Sequence, residues 1–144
     1  MRSPNPIYVS DGQVRKRAAD RRAERVFVAT YLAAALESEI DNRTGYRLSL
    51  RYDPADFHQR TRRALETRAV AYLNDVYGRL PTGVSPEQVA RNYLATHQGA
   101  DGFRGAELLY GRHSAYLSNR AVRDGRLMLG VERGRVVLTK PGGL

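Results

Sequence analysis

The chain of 144 residues has no cysteine and no tryptophan, two methionines and three phenylalanines. Without cysteine there is no disulfide framework, no thiolate nucleophile and no thiolate metal ligand. Lysine is almost missing as well, since all of the 24 basic residues except Lys16 and Lys140 are arginine. Long hydrophobic runs are also lacking. The longest, VFVATYLAAAL at 26–36, falls short of the roughly 20 residues that cross a bilayer. The opening MRSPNPIYVS shows no apolar core before a small-residue cleavage site, so no secretory signal is read there. These absences lead us to expect a protein without a membrane partner, in the cytoplasm or within a virion.

Catalytic signatures are equally scarce. The three histidines, His58, His97 and His113, have no zinc-ligand spacing. There is no glycine-rich phosphate loop, no GxSxG and no HExxH. Glu37, Glu39 and Asp41 lie close together, and the expectation is a solvated acidic helix end that pairs with nearby arginines. One enzymatic alternative is a metal-free nuclease. It would set His113 beside Tyr110, Arg112 and Tyr116 for acid–base work, with arginine stabilising phosphorane charge. No fuller constellation is visible, so a non-enzymatic protein without cofactor or metal is expected.

What is present is positive charge. The net charge is +9 and the isoelectric point about 10.3, with 15 acidic residues. Such a balance favours polyanionic partners, and the guanidinium fork grips phosphate bidentately. We therefore expect a nucleic-acid-binding protein that uses arginine contacts to phosphate, with DNA preferred over RNA. At 42% hydrophobic and 27% charged, the chain has the composition of a folded domain.

The pattern predicts a mainly α single domain of four to five helices closed by a C-terminal β-hairpin. Residues 1–10, with Pro4 and Pro6, read as an extended arm. Asp11 is placed to cap a helix running to about Asn42, with Gly45 beyond its end. Its apolar face is read at Val26, Thr30, Ala33 and Ile40, with Phe27, Leu32 and Leu36 beside it. Its first half is basic, and Arg17, Arg21 and Arg25 would form one ridge at i, i+4, i+8. YRLSLRY at 46–52 alternates like a short strand that could join the hairpin. Asp53-Pro54 predicts the next helix start, with a buried stripe of Phe57, Thr61, Leu65, Ala69, Leu73 and Val76. Ser85 starts another helix, with Gln88 placed to complete a capping box. Helical character returns from about Phe103 to Asp124, interrupted near Gly111. The tyrosines Tyr72, Tyr77, Tyr93, Tyr110 and Tyr116 fall at helical spacing and are expected mainly in the core. GRLMLGVERGRVVLTK then folds into the hairpin, about 127–140, turning at Glu132–Arg135 with Gly134 free to take positive φ.

The order helix, turn, helix and basic-tipped hairpin is similar to a winged helix-turn-helix module, over residues 85–140 at most. The resemblance implies that a helix from about Ala115 to Asp124 enters the major groove and the hairpin touches phosphate. It would offer Ser118, Asn119, Arg120 and Arg123 to bases and phosphates, with Arg133 and Arg135 at the wing tip and Lys140 on its exit. Arg120, Arg123, Arg133 and Arg135 should then share one face. The short turn around Gly111 departs from the family pattern. A hairpin covering one edge of a helical core would carry the same arginines. The arm, the Gly-Gly tail and the charge also suit a homo-oligomeric structural component of a large particle, such as a phage virion connector.

Overall fold

The structure, a computed structural model, describes residues 19–139. Helix α1 spans Arg21–Ser38. The Asp20 carboxylate caps it, accepting from the Ala23 N–H at 2.7 Å. Asp20 is extended, at φ −73° and ψ 167°, so the helix begins here and the expected cap Asp11 lies outside the described residues. Arg17 lies outside them too. Arg21 and Arg25 of the expected ridge stand one turn apart on α1.

The buried face of α1 keeps Phe27, Leu32 and Leu36 of the expected one and adds Tyr31 and Ala35 in place of the rest. Phe27, Tyr31, Leu32, Ala35 and Leu36 are buried, whereas Ala33 is exposed, Val26 and Thr30 are half-buried, and Ile40 is 55% exposed. The run is apolar on both sides, so periodicity alone did not choose between them. Aromatic volume did. The Phe27 and Tyr31 rings pack 5.9 and 5.2 Å from Tyr93, and burying such rings outweighs burying alanine and threonine.

No strand forms at 46–52. Asp41–Gly45 turns back on itself, Arg47 makes a single bridge to Ile40, and Leu48–Leu50 is a 3-10 turn. Leu48 enters the core while Tyr46 and Leu50 stay 63% and 69% exposed. The alternating residues therefore share no buried face, and the hairpin gains no third strand from them.

Asp53-Pro54 starts a 3-10 turn, Pro54–Asp56, held by a reciprocal capping box between Asp53 and Asp56. Helix α2 begins later and spans Gln59–Val76, capped by the His58 ring. The delay has a cause in the hairpin: Phe57 bridges to Val136, and the His58 N–H donates to the Val136 carbonyl at 2.8 Å. The expected stripe from Phe57 to Val76 is buried throughout, joined by Tyr72. Helix α3 spans Pro86–His97, with the Ser85 hydroxyl accepting from the Gln88 N–H. The Gln88 side chain reaches forward to Asn92 Oδ1 at 2.9 Å, so the expected capping box is only half made. After α3 the chain closes tightly on it. A Cβ at Gly102 would overlap the Asn92 carbonyl and the Thr96 hydroxyl, and this approach seats Phe103 in the core. Between two 3-10 turns lies one turn of helix, Glu107–Tyr110, before α4, Ser114–Arg123.

The hairpin pairs β1, Met128–Glu132, with β2, Arg135–Thr139, in antiparallel register. Arg133 and Gly134 turn at φ 52° and 77°, both left-handed, as a two-residue primed turn requires. A two-stranded ribbon is marginal alone, and this one is fastened to three helices. Glu39 Oε1, just past α1, accepts from the Leu129 N–H at 3.2 Å. On α2, the Thr61 hydroxyl accepts from the Leu138 N–H at 2.9 Å. At the end of α3, Gln98 accepts from the Leu127 N–H and donates to its carbonyl, at 2.8 and 3.1 Å. The result is the expected helical domain with a C-terminal hairpin.

Candidate nucleic-acid interface

Helix α4 divides its residues sharply. Leu117, Ala121, Ser114 and Ser118 are buried, and the Leu117 carbonyl accepts from the Tyr72 hydroxyl at 2.9 Å. Ala115, Asn119, Val122 and Arg123 face outward, with Arg126 exposed beyond the helix end. Arg104, from the 3-10 turn before α4, brings Nη2 within 3.5 Å of Asn119 Oδ1. Gly99, Asp101, Arg104, Ser118, Asn119 and Val122 line a shallow groove of about 370 Å³ beside the helix. Ser118 and Asn119 thus meet a residue that no sequence pattern linked to them. The signal for Arg104 is the glycine pair Gly102 and Gly105, which lets the loop fold back.

Arg120 has a different role from the one the sequence suggested. Its Nε donates to Asp75 at 2.8 Å and its Nη1 to Asp124 at 3.1 Å. The side chain is 11% exposed, and the guanidinium lies 5.5 Å from the Tyr72 ring centre. Arg120 fastens α4 to α2 and is turned away from the outer face that carries Asn119 and Arg123.

Arg133 and Arg135 are exposed at the hairpin tip, and Arg135 donates to the Ala55 carbonyl at 3.3 Å. This places Arg135 before the start of α2, whereas Arg120 is tied near its end. From Gln59 to Asp75 the helix rises about 24 Å, so Arg120 and Arg135 are held far apart. The helix pair of a winged module is also missing in form. Gly111, at φ 62° and ψ −142°, breaks the chain before α4, and a single helical turn precedes it. Arg21 and Arg25 are exposed on α1, while Lys140 lies outside the described residues.

The residues weighed for nuclease chemistry are partly engaged internally. The Tyr110 hydroxyl is buried and donates to Asn92 Oδ1 at 2.6 Å, and Arg79 stacks over Tyr116 at 4.0 Å. Arg112 is exposed and His113 half-buried. The acidic helix end is not simply solvated, because Glu39 anchors the hairpin and Asp41 is 6% exposed and paired with Arg43. Among the described residues no three acidic or histidine side chains are grouped to hold a metal.

Sequence reasoning missed a polar centre in the core. His97 Nε2 lies 2.9 Å from the Tyr31 hydroxyl, and the Tyr93 hydroxyl donates to Asp124. His97 is 3% exposed and its Nδ1 has no hydrogen-bond partner among the described residues. Burial, reinforced by the Arg68 charge, pushes the imidazole down to about 4, so the ring is neutral. Burial pushes the Tyr31 and Tyr93 phenols up. The only advance signal was Tyr93 and His97 at i, i+4 on α3. Tyr31, Tyr93 and His97 are all buried, so this centre is part of the core.

Among the described residues no helix is long and apolar enough to cross a membrane. Compared with known protein families, curated proteins and solved structures, the chain matches none.

Proposed function

We propose that the protein is a non-enzymatic nucleic-acid-binding protein that contacts phosphates through arginines. The observation that carries the reading is the outer face of α4. Asn119 and Arg123 stand one turn apart on it, Arg104 reaches Asn119 from the side, and none of the three is held by a carboxylate among the described residues. An exposed helix bearing Asn and Arg fits the major groove of B-form DNA, where they pair with adenine and guanine. The deep, narrow major groove of A-form RNA excludes it, which favours DNA. Arg21, Arg25, Arg133 and Arg135 add phosphate contacts away from that face.

A titration on duplex DNA at two salt concentrations tests this. Five or six phosphate contacts give a log–log salt slope of about −5. Absence of binding at low salt would refute the reading. It would promote the second one, a structural component of a large particle, which fully exposed Leu108 and its half-exposed neighbour Leu109 favour. Mass measurement of the purified protein checks that alternative, since a connector forms a ring.

A further inference from the structure

Between α1 and α2 runs an open groove of about 540 Å³. Its floor is apolar: Val28, Ala29, Leu32, Pro54 and Val70. Its rim carries two carboxylates, Glu24 and Glu66, and two guanidiniums, Arg25 and Arg62. Beside it on α1 lie exposed Ala33 and half-buried Val26. The geometry points to this face as the docking site of a second copy of the chain, forming a two-fold dimer.

Three observations choose that occupant. Acidic residues are the minority in a +9 chain, yet two of them flank this groove beside two arginines, so a polyanion finds no net positive rim there. A purely basic partner meets the arginines. A partner must offer both signs in alternation over an apolar centre, and the same face of another copy does so. In a two-fold interface the contacts are reciprocal, residue i on j and j on i, so Glu24 of each copy meets Arg25 of the other, while Arg62 and Glu66 stay paired within each chain at 3.1 Å. Lastly, the rim is neutral where the surface elsewhere is basic, which gives two repelling chains a place to approach.

The test is mass by sedimentation equilibrium without nucleic acid, over micromolar to millimolar protein. The expected result is a concentration-dependent shift from 16.2 kDa to twice that mass. An all-basic rim, Glu24→Arg with Glu66→Arg, and an all-acidic rim, Arg25→Glu with Arg62→Glu, should each remain monomeric. Mixed one to one they should form a heterodimer, because opposite rims then face each other. Circular dichroism confirms that each is folded. Ala29→Arg, at an exposed position, should block association without touching an existing ion pair. A wild-type chain that stays monomeric throughout would overturn the inference. So would a dimer that Ala29→Arg leaves intact, or two charge variants that do not combine. The measurement uses no DNA, so its outcome is independent of the proposed function.

Discussion

Arg120 and Arg123 sit three residues apart on one helix yet answer to different physics. Arg120 is enclosed by Asp75, Asp124 and the Tyr72 ring. Removing it breaks the charged hydrogen bonds to Asp75 and Asp124, so Arg120→Ala should lower stability by about 1–3 kcal/mol while leaving DNA affinity per folded molecule unchanged. Arg123→Ala should leave the melting temperature within error and weaken DNA binding, by about 1–3 kcal/mol where it reads a guanine. Paired thermal melts and titrations separate the two. His97 is the other informative residue. Its folded value is depressed, to about 4 from 6.5, so its contribution is complete above about pH 6.5 and declines as pH falls towards about 4. The unfolded chain takes up the proton first, and about 3 kcal/mol is lost across that window. Urea midpoints at about pH 7 and about pH 4.5 should show this fall, and His97→Gln should flatten it.

The hairpin is the element whose local chemistry is most exposed to test. Its turn needs two left-handed residues, and the first is Arg133 at φ 52°. Asparagine tolerates that region better, so Arg133→Asn should raise stability by a few tenths of a kcal/mol. Gly134→Ala should cost about 1 kcal/mol, read as a lower melting temperature. The loop entering Phe103 has less tolerance. At Gly102 an added methyl meets backbone and a hydroxyl on α3, so Gly102→Ala should cost about 1–3 kcal/mol, as overpacking does. Both glycines were visible as letters in the sequence, but only Gly134 had a legible reason. The close approach at Gly102 exists because the chain folds back on α3, and nothing local announces it.

At the scale of the whole molecule, ion pairs among the described residues neutralise Arg43, Arg62 and Arg120, leaving exposed arginines on all four helices and the hairpin. Replacing Arg21 and Arg25 together should weaken binding to every DNA sequence alike and make the salt slope shallower by about two. Asn119→Ala should instead act mainly at one base position. Binding titrations on a set of duplexes distinguish these patterns.

The chain's composition and periodicity determined the helical class, the stripe from Phe57 to Val76, the Ser85 cap and the C-terminal hairpin. Each depends on contacts a few residues apart, where spacing and turn chemistry suffice. Tertiary structure decided everything that several local choices satisfied equally well. It turned Tyr31 inward beside Phe27 and left Val26 and Thr30 half-buried, because large rings had partners on α2 and α3. It delayed α2 to Gln59, because Phe57 and His58 bond the hairpin. It drew Arg120 into ion pairs and left Asn119 and Arg123 outside, because a guanidinium only 11% exposed needs partners and an exposed polar side chain has water.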